Sequence, residues 1–170
     1  MPIILGIDPG LTGGIAFLSA APGQPKRVIG ADDIPTFGVD AKRRVDALAL
    51  AKMIQACPPD FAVIKRAQAF SDQGASSGFI YGRAVGALEG VVLGMEIPLE
   101  IVEASAWKKA LGLSRKKPSG EKMTTAEVKE ASRQKALLMF PDAHSLIARK
   151  LDHGRAEAIL IASYGASLRR

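Results

Sequence analysis

Asp8, Asp152, His153 and Glu157 are the residues whose types and places could serve one reaction. Asp8 closes the apolar run 3-IILGID-8, directly before Pro9 and Gly10. Glu157 interrupts an otherwise apolar stretch, AEAILIA, and His153 stands four residues ahead of it, on the same face of a helix. Asp152 sits just before that helix and can swing to the same side. Acids gathered from distant strand and helix ends suit a hard divalent cation, because Mg²⁺ prefers oxygen ligands and keeps several waters. Two such ions about 4 Å apart would activate a water and steady the leaving oxygen of a phosphodiester. Each residue also has a bland reading. Asp-Pro-Gly forms turns for backbone reasons, Asp152 can be a helix N-cap, and His153 can be a surface residue near a helix start. The combination favours chemistry, since Asp8 and Glu157 both break apolar runs.

A fifth residue raises a question. In 60-DFAVIKRAQAF-70 the strand 61–64 is wholly apolar, and Lys65 and Arg66 arrive where it should end. Strand ends in α/β sheets are where chemistry usually sits. Lys65 is therefore a catalytic group, a phosphate contact, or a changed position in a site that wanted something else.

The elements that must carry these residues follow from periodicity and punctuation. Strands are expected over 3–8, 14–20, 27–34, 61–64 and 99–104, the first two joined by a glycine-rich turn. Asp40 caps an expected helix from Ala41 to Ala56, with Val45, Leu48, Ala49, the Lys52 stem and Met53 at helical spacing. Further helices are expected over 79–94, 105–112, 126–140 and 153–168, with loops at 71–78 and 113–125, the latter mobile. Gly82, Ala84, Gly86, Ala87 and Gly90 weaken the second helix by up to ~1 kcal/mol per glycine, which implies close backbone packing on a sheet or on a partner's copy of itself. The order β-β-β-α-β-α-β-α-α describes an α/β fold, a mixed five-stranded sheet with helices on both faces. An all-parallel doubly wound fold fits worse, because the first three strands have connections too short for crossover helices.

Composition narrows the function. The 170 residues suggest one globular domain, 48% hydrophobic and 24% charged. No apolar run approaches the ~20 residues that cross a bilayer, and the N-terminus lacks a basic region and a cleavage site, so the cytoplasm of a bacterial or phage-infected cell is expected. Cys57 is the only cysteine, which excludes internal disulfides and cysteine-based zinc sites and reads as a small buried residue. The net charge is +6 and nine cations crowd the segment from Lys108 to Lys135, which fits a polyanionic partner as well as a solvated face.

Four stretches, 4-ILGIDPGLTGGIAF-17, 65-KRAQAFSDQGASSGFIYGR-83 with 84-AVGALEGVV-92, 107-WKKALGLS-114 and 150-KLDHGRAEAILIA-162, resemble the RuvC-type Holliday-junction resolvases, especially their compact phage and prophage branch. The match runs from Met1 to beyond Ala162. The resemblance implies an RNase H-like fold, a homodimer, Mg²⁺ with Mn²⁺ as a substitute, and symmetric nicking of four-way DNA junctions. Carried over by residue, it makes Asp8 the first-strand metal-binding aspartate and Glu157 the final acid, with Asp152 and His153 in the region of the penultimate ligand. It leaves open which of those two is the ligand. The family's second acid, a glutamate at the end of the fourth strand, falls on Lys65. An ammonium there changes the local charge by two units. At ~4 Å and an effective dielectric of ~20, one pair of unit charges interacts by ~4 kcal/mol, so a two-metal centre is disfavoured. Glu89 is the other acid near enough to rebuild the site, and it reads better as structural.

Three functions follow. The first is a junction-specific endonuclease impaired by Lys65; the second is a junction-binding protein that does not cut. The third is a sugar-kinase or chaperone-type ATPase, whose phosphate hairpin is similar to DPGLTG but whose duplicated lobes need more than 170 residues. On the first two readings Lys65 points into the cleft and neutralises Asp8 and Glu157. Phe70 and Phe79 flank a loop that enters the junction, though both are also plausible core residues. Lys108, Lys109, Lys116 and Lys117 hold phosphates, joined by Arg66 and Arg83, and helix 79–94 pairs with its copy in a two-fold dimer.

Overall fold

The site is prepared by the parity of two strands. In the computed structural model, which describes residues 1–68 and 74–168, β1 (Ile3–Asp8) runs parallel to β6 (Phe61–Lys65), with Ile7 opposite Ile64. Successive side chains alternate between faces. Leu5, Ile7, Ala62 and Ile64 therefore share one core, and Ile4, Phe61 and Val63 share the other. Asp8 and Lys65 come one step further along and fall on the second face. β2 (Gly14–Ser19) pairs antiparallel with β1, β3 (Arg27–Asp33) antiparallel with β2, and β7 (Leu99–Val102) parallel with β6. The sheet order is β3-β2-β1-β6-β7, the mixed five-stranded sheet expected.

Helices α1 (Ala47–Ala56) and α2 (Ala75–Gly94) cover the first face through Leu50, Ile54, Leu88 and Val92. Helices α3 (Ala104–Ala110), α4 (Thr125–Met139) and α5 (His153–Leu168) cover the second, through Trp107, Ala136 and the apolar side of α5. α5 lies unusually low on the sheet. A Cβ on Gly6 would strike the Ala158 carbonyl and Ala162, and one on Gly14 would strike the backbone of Gly154 and Arg155. Small residues on both sides, Gly154, Ala158 and Ala162 four apart, permit this approach.

Several expected boundaries move. Asp40 does not cap a long helix: its φ of 48° lies in the left-handed region, and it opens a short 3-10 turn, Asp40–Lys42. Arg44–Val45 (β5) then pairs with Thr36–Phe37 (β4) as a small ribbon. The true cap of α1 is Asp46, whose carboxylate accepts from Ala49 N at 2.9 Å. Val45 is buried as a strand residue, and Leu48, placed on the apolar face by spacing, is 68% exposed. α2 starts at Ala75 rather than Phe79, so the last four residues of the stretch expected as a loop at 71–78 are helical. Two serines cost a helix at most about 0.7 kcal/mol each, too little to stop it. The stretch expected as a loop at 113–125 folds into a hairpin, and α4 begins one residue early at Thr125, behind a capping box between Thr124 and Glu127. Cys57 is half-buried at the C-cap of α1. The glycines of α2 do not face the sheet, which takes Ala84, Val85, Leu88 and Val92. Gly78, Gly82, Gly86, Gly90 and Gly94 recur every four residues with nothing within 4 Å of an added Cβ. Among the described residues no helix is long and apolar enough to cross a membrane.

Candidate functional site

Asp8 and Lys65 reach the edge of the sheet side by side, and α5, let down by Gly6 and Gly14, carries Glu157 over them. Lys65 is ion-paired with Asp8, and its Nζ lies 3.4 Å from Glu157 Oε2. The other oxygen of Glu157 accepts from Lys108 Nζ at 2.9 Å and from Ser132 Oγ at 3.0 Å. Two carboxylates thus face two ammonium groups and a hydroxyl, drawn from β1, β6, α3, α4 and α5. Asp8 and Glu157 are only 7% and 5% exposed, so these charges interact through little water.

Burial opposes charge at each of the three central groups, with different outcomes. At Lys65 the carboxylates of Asp8 and Glu157 outweigh burial and hold the ammonium above its usual range. At Glu157 burial is outweighed by Lys65, then Lys108 and their hydrogen bonds, so its carboxyl stays below the usual range. At Asp8 burial wins over Lys65, and the charge of Glu157 adds to it, so this carboxyl is pushed up. Two acids within one cluster are driven apart.

The two other expected ligands, Asp152 and His153, stand at the entrance of α5. The buried Asp152 carboxylate accepts from Arg149, from its backbone N at 2.8 Å and its Nη2 at 2.8 Å, and so belongs to the entrance of α5. Arg155 beside it reaches Asp33 on β3 at 2.8 Å. His153 opens α5 one turn before Glu157, half-buried. Among the described residues no three His, Cys, Asp or Glu side chains gather as a metal centre needs. Glu89 is half-buried on α2 and does not line the site. With the Lys65 ammonium paired to both acids, the donor set does not fit a pair of divalent ions, which need oxygen ligands in its place.

A cleft of ≈ 710 Å³ opens from this cluster between β6, α3 and α4. Lys65, Arg66, Lys108, Lys109, Arg115 and Lys129 line it, and Glu157 is the acid among its lining residues. Cationic walls around a low-dielectric recess focus the field and attract polyanions. Of the phosphate contacts expected from sequence, Arg66 and Lys109 line this cleft, Arg66 being ion-paired with Glu103. Lys108 is drawn inward to Glu157. Lys117 is paired with Glu127 at 3.0 Å and with Glu121 at 3.7 Å, and Lys116 stands exposed nearby. Phe79 is 69% exposed, so it is no core residue, and the Arg83 guanidinium lies 5.7 Å from its ring centre. Phe70 lies outside the described residues. Sequence reasoning missed Ser132, Arg115, Lys129 and Tyr81, whose hydroxyl burial pushes up and which lines the cleft beside Lys65. A serine buried on the apolar side of α4 next to Ala136 was the available signal for Ser132.

No protein-family model matches the chain, and no curated protein matches it significantly. Solved structures do. Thermus thermophilus RuvC in complex with Holliday junction substrate superposes with a TM-score of 0.63 at 16% identity, covering 98% of this chain and 95% of that one. The chain shares the RuvC-type, RNase H-like fold. The yeast mitochondrial Holliday junction resolvase gives a TM-score of 0.58 at 14% identity over 96% of this chain and 78% of that one. The fowlpox virus resolvase, solved with substrate Holliday junction DNA, gives 0.54 at 13% identity over 97% and 99%. Within this RuvC-type fold, Lys65 and Glu157 line the cleft, and Lys65 pairs with the carboxylates of both Asp8 and Glu157.

Proposed function

We propose that the chain recognises four-way DNA junctions in the manner of a RuvC-type resolvase, and that Lys65 leaves it little or no capacity to nick them. The observation that carries this reading is the cationic cleft leading to the Asp8–Glu157 pair. Two of the solved structures sharing the fold hold Holliday junction DNA, which supports branched DNA as the ligand. In this reading Arg66, Lys109, Arg115 and Lys129 hold backbone phosphates, and affinity falls steeply with salt. Phe79 offers a ring that can stack on an unpaired base. Mg²⁺, or Mn²⁺ in its place, supplies an activated water and charge neutralisation when bound in such a site. Here Asp8 and Glu157 are the residues that would hold it, once the Lys65 ammonium is displaced or replaced.

The glycine stripe on α2 supports assembly as a homodimer. A helix face open to backbone approach along its whole length suits the same face of a second copy, and a two-fold dimer matches the symmetry of a junction. The test joins binding to cutting. The protein is incubated with a labelled four-way junction and Mg²⁺, then assayed for a gel shift and for paired nicks. A shift without nicks, and nicks after Lys65→Glu, is the expected result. Absence of any shift at low salt would defeat the reading. Brisk nicking by the unaltered chain would favour a working endonuclease instead.

A further inference from the structure

Between α3 and α4 the chain folds back on itself. Met123 N donates to Arg115 O at 2.8 Å, Lys117 N to Glu121 O at 2.8 Å, and Gly120, at φ 88°, closes the turn with a bond to Lys117 O at 2.9 Å. This pattern sets Lys116 directly opposite Lys122. The two are flanked by hydrogen bonds without exchanging any, the kind of antiparallel pair whose side chains approach most closely. Alternation along the hairpin puts Arg115 and Lys117 on one face and Lys116 and Lys122 on the other.

The inner face is accounted for. Lys117 ties the hairpin to Glu127 in the first turn of α4, Arg115 lines the cleft, and Met123 is half-buried. The outer face is not. Lys116 and Lys122 are both exposed, and neither has an ion-pair partner among the described residues. Like charges directly opposed across a hairpin destabilise it. An anion between them removes that repulsion and gains two charge-assisted hydrogen bonds.

Resting on the proposed function, we infer that Lys116 and Lys122 form a pincer for one backbone phosphate, gripping the DNA beyond the rim of the cleft, next to Arg115. Lys117, in contrast, is the anchor of the hairpin and not a phosphate contact.

The experiment compares the full chain with Lys122→Glu and Lys122→Gln, titrating a labelled four-way junction across a salt series. Lys122→Glu also neutralises Lys116 through the new cross-strand pair, so the one phosphate contact should go and the slope of log K against log salt should shrink by about 0.9. Lys122→Gln leaves Lys116 on that phosphate, so it should lower the affinity but shrink the slope by less than Lys122→Glu does. Melting is followed in the absence of DNA at low salt, where Lys122→Glu should melt higher than the parent because attraction replaces repulsion. Unchanged slopes in both variants would overturn the pincer, and so would a lower melting temperature for Lys122→Glu. If the parent binds no junction at all, the functional reading fails on its own. The pincer is then judged with inorganic pyrophosphate, which should raise the melting temperature of the parent more than that of Lys122→Glu; equal rises would overturn it.

Discussion

Lys65 and Asp8 end adjacent parallel strands, one step beyond the Ile7–Ile64 pair, and their side chains meet in an ion pair beneath α5. The lysine therefore does the electrostatic work of a cation at this spot. Lys65→Met would leave Asp8 and Glu157 buried together with Lys108 alone to balance them. Breaking a buried pair by removing one partner typically costs about 3–5 kcal/mol, and urea unfolding should show a loss of that order. A loss below about 1 kcal/mol, as at a surface pair, would mean that the ammonium does not hold the acids together.

Lys65→Glu reverses the logic. Three carboxylates would then converge with Lys108, and without metal this variant should melt well below the parent. Mg²⁺ or Mn²⁺ should raise its melting temperature and bind measurably in calorimetry, and leave the parent unmoved. Should the parent instead nick junctions vigorously with Mg²⁺, and Lys65→Ala abolish this, the lysine would be a working catalytic group.

Much of this cluster was legible in the sequence, and the reasons are particular. Asp8, Lys65 and Glu157 stood out because each breaks an apolar run, and a run that is apolar on both faces marks a central strand or a buried helix. Asp152 and His153 share their neighbourhood in the chain, but Arg149 lies only three residues before Asp152, close enough to claim its carboxylate. The part of Lys108 in the site was not legible, because a lysine after a buried tryptophan carries no sign of where α3 will dock. The α1 boundary was missed because Asp40 and Asp46 are equally good caps by residue type. Only the β4–β5 ribbon, a tertiary feature, decides for Asp46.

The glycines of α2 make a prediction about assembly. Nothing in the chain itself lies within 4 Å of a Cβ placed on Gly82, Gly86 or Gly90. In a lone chain, alanine at these positions would stabilise the helix by about 1 kcal/mol each. In a dimer joined along this face, a bulky residue would push the helices apart. Light scattering should find a dimer for the parent and a monomer for Gly86→Leu. A monomeric parent at all concentrations would leave the stripe without a partner copy.

The approach of α5 to the sheet makes another. Gly6→Ala sets a methyl group against the Ala158 carbonyl and Ala162, so the helix must lift. Overpacking of this kind typically costs about 1–3 kcal/mol, and here backbone must move, so the upper end is expected in chemical denaturation. Lifting α5 also withdraws Glu157 from Lys65, so junction nicking regained in Lys65→Glu should be lost again when Gly6→Ala is added. Retention of full stability would mean that the sheet yields more easily than this contact implies.

The opposed shifts of Asp8 and Glu157 predict an unusual acid limb. Glu157 is held below its ordinary range in the folded chain. It therefore contributes stability that is present above its unfolded value, near 4.3, and is lost as pH falls through its lower folded value. Asp8 is shifted upward. Its ionised form costs stability at neutral pH, a cost relieved as pH falls through the folded value toward the unfolded one near 3.9. Lys65, shifted upward, contributes stability that is complete below its unfolded value near 10.4 and lost as pH rises beyond it. Below about pH 5 the two acids thus pull in opposite directions, and the net acid limb should be shallow. Glu157→Gln removes one side of this balance. Its deficit against the parent, measured by urea unfolding, should be largest near neutrality and shrink as the pH is lowered past about 4. Asp8→Asn should show the reverse trend, its relative stability being best near neutrality and declining toward acid as the parent's own Asp8 takes up a proton. A Glu157→Gln deficit that stayed constant from about pH 7 to about pH 3 would show that Glu157 titrates alike in the folded and unfolded chains. Lys65 and Lys108 would then exert no pull on it, and the neutralised-cluster reading of the site would fail.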